Sequence, residues 1–167
     1  MSVVNRFLSA AAALALLALT ACGFTPLYAT PGVSPQLSAI QVNAPKGRAG
    51  FLLGEQLNDA LATDRSAPPR FRLDLVIREH RYSRGLTVDN VARRYENHVT
   101  ITYELYDLLA GKVVKAGLEP IEVTYAASDQ PYAGISAQKD AQERAAADAA
   151  QRIRVDLGAY FAAKSAQ

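Results

Sequence analysis

Strict alternation of apolar and polar residues is the most regular pattern along this chain, and it predicts three long strands. In the first of them, Phe71, Leu73 and Leu75 point one way and the arginines beside them point the other. The glycine and proline at positions 117 and 120 predict a break or bulge in the third strand. The strands are predicted over residues 70–82, 93–107 and 113–125, and three such strands in series form an antiparallel meander.

Helical periodicity marks two further segments. Leu53, Leu57 and Leu61 recur four residues apart, and an alanine-rich stretch near the C-terminus repeats that spacing from Ala145 to Phe161. The remaining predicted elements are a short strand over residues 38–44, a helix over 47–63 and a longer helix over 136–163. The order β-α-β-β-β-α predicts an α+β fold, a two-layer sandwich with two helices packed on one face of a mostly antiparallel four-stranded sheet.

The N-terminal segment has the three parts of an export signal. One basic residue, Arg6, precedes the apolar run Phe7–Leu19, and the small residues Thr20 and Ala21 follow that run. The run is too short for a comfortable transmembrane span, although a retained N-terminal anchor is the alternative interpretation. The predicted organisation is a signal peptide (1–21), an extended tether rich in proline and glycine (22–36), a single α+β domain (37–163) and a tail (164–167).

Composition and charge indicate an ordinary globular protein, not a disordered or fibrous one, and give no sign of a nucleic-acid partner. The chain has 167 residues, of which 50% are hydrophobic and 20% charged, as in ordinary globular proteins. A formal net charge of +2 gives no reason to expect a nucleic-acid partner. The single cysteine, Cys22, cannot form an intramolecular disulfide and is therefore a candidate for modification.

The sequence offers no catalytic constellation. It contains no nucleophile elbow, glycine-rich phosphate loop or zinc-protease motif, so we expect neither enzymatic activity nor a cofactor. His80 and His98 fall on neighbouring predicted strands, where they could face each other. Because no cysteine or well-placed carboxylate accompanies them in the sequence, we predict no metal site and interpret both as strand-face histidines.

Arginine is concentrated around the predicted hairpin. Seven arginines but only three acidic residues fall between positions 70 and 94. Guanidinium groups bind phosphate through paired hydrogen bonds, which suits a phosphorylated lipid headgroup or a nucleic acid. The alternative is that these charges keep an exposed strand surface from associating with other strands. The candidate ligand-binding residues are Arg78, Arg81, Arg84, Arg93 and Arg94.

Leu19-Thr20-Ala21-Cys22 resembles the bacterial lipobox. In proteins with this motif the cysteine thiol receives diacylglycerol and the signal peptide is cleaved before it. This role suits a cysteine because the thiolate is a strong nucleophile, and several acyl chains anchor a protein stably. The resemblance identifies Cys22 as the lipidation site. Gly23 follows it in place of an aspartate, which in this class implies forwarding to the outer membrane.

The segment from Cys22 to Tyr28, CGFTPLY, resembles the start of mature lipopolysaccharide-assembly lipoproteins of the LptE family, particularly the alphaproteobacterial branch. The order of predicted elements resembles that family as well. The resemblance implies a non-enzymatic lipoprotein on the periplasmic face of the outer membrane. It also implies that the chain plugs the LptD β-barrel, assists its assembly and binds lipopolysaccharide. A stand-alone lipid-binding accessory lipoprotein of an envelope transporter, and an envelope hydrolase, remain alternatives.

Overall fold

The computed structural model describes residues 32–86, 92–128 and 130–165. Three helices and four strands lie within these ranges. The fold is α+β, as the sequence predicts. Among the described helices, none combines the length and the apolar character that crossing a membrane requires. In chain order the elements are α1 (Val33–Ser38), β1 (Ile40–Asn43), α2 (Arg48–Leu61), β2 (Phe71–Leu86), β3 (Ala92–Asp107), β4 (Lys112–Ala126) and α3 (Pro131–Ser165).

The four strands form one sheet in the order β1-β2-β3-β4. Strand β1 pairs with β2 in parallel, whereas β2–β3 and β3–β4 pair antiparallel, which confirms the predicted meander. The β2–β3 pairing runs from Phe71 opposite Asp107 to Leu86 opposite Ala92. The sheet therefore has a base, near Phe71, and a long hairpin that extends away from it.

The core lies between the sheet and the helices. The odd-numbered residues of β2 and β3, from Phe71 and Val99 onwards, point towards α2 and α3, as alternation requires. Helix α2 buries its leucine stripe, and α3 buries small alanines together with Ile153, Leu157 and Phe161. Phe161 packs against Phe71 with ring centroids 5.1 Å apart, so the end of α3 closes the core at the base.

The structure corrects the expected tether at its C-terminal end. Residues 33–36, predicted to be extended, belong to helix α1, which buries Val33 and Leu37. These two residues lie four apart and share one helix face. Pro35 is tolerated because it falls in the first turn, where backbone N–H groups have no partner within the helix. The predicted signal peptide and residues 22–31 lie outside the described residues.

The predicted irregularity in β4 is also misplaced. Pairing between β3 and β4 is regular at Gly117 and Pro120, and the register shifts instead between Leu105 and Tyr106, which leaves Val114 as the extra residue. Proline is tolerated at position 120 because β4 is an edge strand. Helix α3 begins at Pro131, five residues before the prediction.

Tyr103 accounts for the glycine at position 117. The two residues are cross-strand partners, and a Cβ at Gly117 would overlap the phenol ring of Tyr103. Tyr103 is 1% exposed, and its hydroxyl donates a hydrogen bond to Asp156 of α3. Burial raises the pKa of Tyr103, so the hydroxyl remains a donor at neutral pH. This tyrosine connects the sheet to the long helix.

Asp107 organises the turn between β3 and β4. Its carboxylate, 3% exposed, forms an ion pair with Arg70 at 3.1 Å. It also accepts hydrogen bonds from the backbone N–H groups of Leu109 and Ala110, both at 3.0 Å. The Arg70 hydrogen bond and these backbone donors lower the pKa of Asp107 to about 2. A folded pKa below the ordinary 3.8 means that this carboxylate stabilises the fold at neutral pH.

We expect Asp107→Asn to lower the free energy of unfolding by about 1–3 kcal/mol at pH 7, because Arg70 loses its charged partner. The stabilisation is present above about pH 4 and is lost as the pH falls towards 2, through the folded pKa of about 2. The difference between wild type and variant, measured by urea unfolding, should therefore shrink over that window. Glu104→Gln, at an exposed position of the same strand, is the matched control. A difference that stays constant between pH 7 and pH 2 would contradict this account.

Candidate ligand-binding site at the hairpin tip

The β2–β3 hairpin continues well past the sheet's core, and we name residues 78–86 and 92–98 the hairpin tip. Every β2 residue from Arg78 to Gly85 is exposed. Backbone pairing nevertheless continues to Leu86 and Ala92, which gives the tip a regular strand geometry. Side chains at the tip therefore have fixed faces even though few of them are buried.

The alternation of side chains along β2 and β3 divides the predicted arginines between the two faces of the sheet. Arg78, Arg84 and Arg94 lie on the outer face, which carries no helix, whereas Arg81 lies on the helix side. The sequence correctly gathers these arginines at one end of the hairpin but does not separate them by face. Arg93 lies in β3, and its side chain is outside the described part of the chain. Cys22 is outside the described residues altogether.

Two tip arginines are held by neighbouring side chains. Arg84 forms an ion pair with Glu96 at 2.7 Å and lies 5.9 Å from the ring centroid of Tyr82. Arg81 lies over the ring of Tyr95, 5.1 Å from its centroid. These contacts orient the guanidinium groups while leaving both side chains exposed.

Like charges face each other across the tip. Arg84 and Arg94 are direct cross-strand partners, an arrangement that is unfavourable unless an anion lies nearby. Glu96 supplies one such anion, to Arg84. Neither Arg78 nor Arg94 forms an ion pair with another described residue. The outer face of the tip therefore presents guanidinium groups that are available to a phosphate or carboxylate ligand.

The two histidines have carboxylate neighbours that sequence spacing did not reveal. His80 and His98 are direct cross-strand partners, which confirms that they face each other. The structure brings Glu96 and Glu122 to His98, with the three ligand atoms within 4.8 Å of one another. The expectation that no carboxylate is well placed beside these histidines is therefore wrong. Glu122 belongs to β4, and only the register between strands brings it to this position.

The cleft beside β1 does not resemble a lipid cavity. Its volume is about 340 Å³, the size of a small-molecule pocket. Asp64, Arg65 and Asn58 contribute polar groups to its lining. A long apolar cavity is the feature that would favour a stand-alone lipid carrier, and this cleft does not provide it.

Known structures share this fold. A crystal structure of a protein described as a lipoprotein from Caulobacter crescentus CB15 is 46% identical to this chain, with a TM-score of 0.70. The match covers 80% of this chain and 97% of that one. Rare lipoprotein B from Shewanella oneidensis is 14% identical, with a TM-score of 0.57, and the match covers 75% of this chain and 96% of that one. At that identity the likeness shows the fold alone. A search of curated protein sequences finds no match to the chain.

A family model gives the assignment. The model described as LptE, lipopolysaccharide-assembly, matches residues 36–157, which is most of the chain and includes every strand and the greater part of α3. The chain therefore belongs to the lipopolysaccharide-assembly family LptE.

Proposed function

We propose that this protein is a non-enzymatic lipoprotein of the outer membrane, anchored on the periplasmic face through a lipid on Cys22. In this proposal it forms the plug and assembly partner of an LptD-type β-barrel and binds lipopolysaccharide on the way to the cell surface. The family match over residues 36–157 is the observation that carries the proposal. The arginines of the hairpin tip supply the ligand chemistry, because lipopolysaccharide bears phosphate groups.

The placement of the tip relative to the N-terminus supports this role. The chain enters the domain at α1 and then β1, and Ile40 pairs with Phe71 at the base of the sheet. The tip lies fifteen residues further along β2, which corresponds to about 50 Å. Cys22 and Gly32 are ten positions apart in sequence, so they lie at most about 35 Å from each other. A lipid on Cys22 would therefore attach the base to the membrane and let the tip extend away from the anchor.

The outer face of the sheet supports binding to a protein partner. Val76, Thr102 and Leu118 form one cross-strand row on that face, and Val76 and Leu118 are 55% and 57% exposed. Val113 lies on the same face, opposite Tyr106, and is 46% exposed. Exposed apolar side chains on neighbouring strands are typical of an interaction surface. We propose that this outer face is the surface that contacts the barrel.

We expect the double charge reversal Arg78→Glu and Arg94→Glu to weaken lipopolysaccharide binding by roughly tenfold or more at low salt. Each basic group beside an anionic lipid surface contributes about 1 kcal/mol, and reversal replaces attraction with repulsion. The difference should diminish as the salt concentration rises, because exposed charges are screened. Fluorescence titration with purified lipopolysaccharide at two salt concentrations measures both effects.

The matched control is Lys46→Glu with Arg65→Glu, which makes the same change in net charge at exposed positions outside the tip. We expect the control to bind lipopolysaccharide nearly as well as the wild type. Equal weakening in both double variants would mean that overall charge, not the tip, governs binding. Unchanged binding in the tip variant would mean that these arginines are solvated surface charges and do not bind lipopolysaccharide.

A further inference from the structure

Three strands bring potential metal ligands into one row on the outer face of the sheet. His80 of β2 lies opposite His98 of β3, and His98 lies opposite Glu122 of β4. Glu96, two residues before His98, lies on the same face. Side chains directly opposite one another have Cβ atoms about 5 Å apart, and the structure brings ligand atoms of Glu96, His98 and Glu122 within 4.8 Å of one another. The group lies on the outer face between the row of Arg78 and the row of Arg84 and Arg94.

The distances within this group match those of a metal site. Nε2 of His98 lies 3.6 Å from Oε2 of Glu96 and 3.6 Å from Oε1 of Glu122. Zinc bonds of about 2.1 Å in a tetrahedral arrangement separate neighbouring ligand atoms by about 3.4 Å. Both spacings are close to the separation that a tetrahedral zinc site requires.

Nε2 of His98 has no hydrogen-bond partner among the described residues. Its Nε2 atom is buried and forms no hydrogen bond with any described residue, since 3.6 Å is beyond hydrogen-bond distance. A buried ring nitrogen without a partner is costly, and such atoms in native structures require an explanation. The ring packs edge-on against Tyr82, with centroids 4.9 Å apart, and this contact fixes its plane. The nitrogen is thus held between two carboxylates.

The charges also suit a divalent cation. Glu96 and Glu122 each supply a carboxylate, and that of Glu96 accepts a hydrogen bond from Arg84 at 2.7 Å. Two carboxylates would neutralise a charge of +2. A neutral imidazole nitrogen favours zinc and similar transition ions, whereas magnesium and calcium prefer ligands made only of oxygen.

We propose that Glu96, His98 and Glu122 bind Zn²⁺ or a similar transition-metal ion, with His80 as the candidate fourth ligand. Arg84 shares Oε2 of Glu96 with the ion site and so competes with the cation. Glu96 and His98 belong to β3 and Glu122 to β4, so a bound ion would join these two strands, and His80 as a fourth ligand would add β2. Metal binding by these residues does not require that the protein take part in lipopolysaccharide assembly.

The test is calorimetric titration of the full chain with Zn²⁺, in detergent and without a histidine tag. We expect one ion per chain, and we expect His98→Gln to weaken binding on the order of tenfold or more. Glu104→Gln is the matched control, since Glu104 is an exposed carboxylate on the same strand and the same face. It should bind Zn²⁺ as the wild type does. The absence of saturable binding, or equal binding by the His98→Gln variant, would overturn the proposal.

Two further measurements sharpen this test. Arg84→Gln should tighten Zn²⁺ binding, because it removes the competing cation from Glu96, and weaker binding by this variant would count against the site. Saturating Zn²⁺ should raise the unfolding temperature of the wild type but not that of the His98→Gln variant, since an ion that binds only the folded state stabilises it. An equal rise in both proteins would place the ion elsewhere and overturn the assignment.

Discussion

Cys22→Ala is expected to leave the chain uncleaved, without lipid and no longer retained through a lipid anchor. The resemblance of Leu19-Thr20-Ala21-Cys22 to the lipobox carries this prediction, since lipid transfer in that class requires the cysteine sulfur. Alanine has no nucleophile with which to accept diacylglycerol. The intact mass of the protein reports the outcome directly, because the variant should retain all 167 residues and gain no acyl chain.

Gly23→Asp is the matched variant for that experiment. It leaves the cysteine in place, so cleavage and lipidation should proceed as in the wild type. The lipoprotein class associates aspartate at this position with retention in the inner membrane, so fractionation should find this variant there. A Cys22→Ala protein with the mass of a mature lipidated chain would refute the lipobox interpretation.

Tyr103→Ala is expected to lower the free energy of unfolding by about 3–5 kcal/mol, the largest effect anticipated within the folded domain. The ring is 1% exposed and fills the space above Gly117, which has no side chain to occupy it. The variant would therefore leave a cavity between β3 and β4 that the backbone cannot readily close. It would also remove the hydrogen bond to Asp156, which links the sheet to α3. Equilibrium unfolding in urea measures the difference.

Tyr103→Phe separates packing from hydrogen bonding at this position. It keeps the ring and removes only the hydroxyl, so we expect a cost of about 1 kcal/mol. Asp156 retains its ion pair with Lys115 at 2.8 Å and is not left unpaired. If the alanine and phenylalanine variants lost equal stability, the ring would contribute little and the packing argument would fail.

Local sequence predicted the long strands well because each of them buries one face only. In β2 and β3 the core side alternates strictly with the outer side, and this alternation is visible without any knowledge of neighbours. Helix α1 was missed because Pro35 and its short length obscure the single pair Val33 and Leu37. The prediction placed the bulge near Gly117 instead of at Val114. Register depends on cross-strand packing, here of Tyr103 over Gly117, and not on local sequence.

The candidate site could likewise be predicted only in part from the sequence. The arginines of the tip are close together in sequence, so their concentration at one end of the hairpin could be predicted. Their separation by face, with Arg81 on the helix side and Arg78 and Arg84 on the outer side, follows from the alternation of side chains along β2. Glu122 lies more than twenty residues from His98 in sequence and reaches it only through the β3–β4 pairing. A search of neighbouring strands for metal ligands at equal register would have detected the group, whereas linear spacing could not.

Partner identification tests the central claim most directly. The full chain, carrying a small C-terminal tag, would be extracted from its own outer membrane with a mild detergent, and the co-purifying proteins identified and quantified by mass spectrometry. The proposal predicts one large β-barrel of the LptD type at a ratio of one to one. Recovery of the chain alone, or with an inner-membrane transporter in place of the barrel, would contradict it.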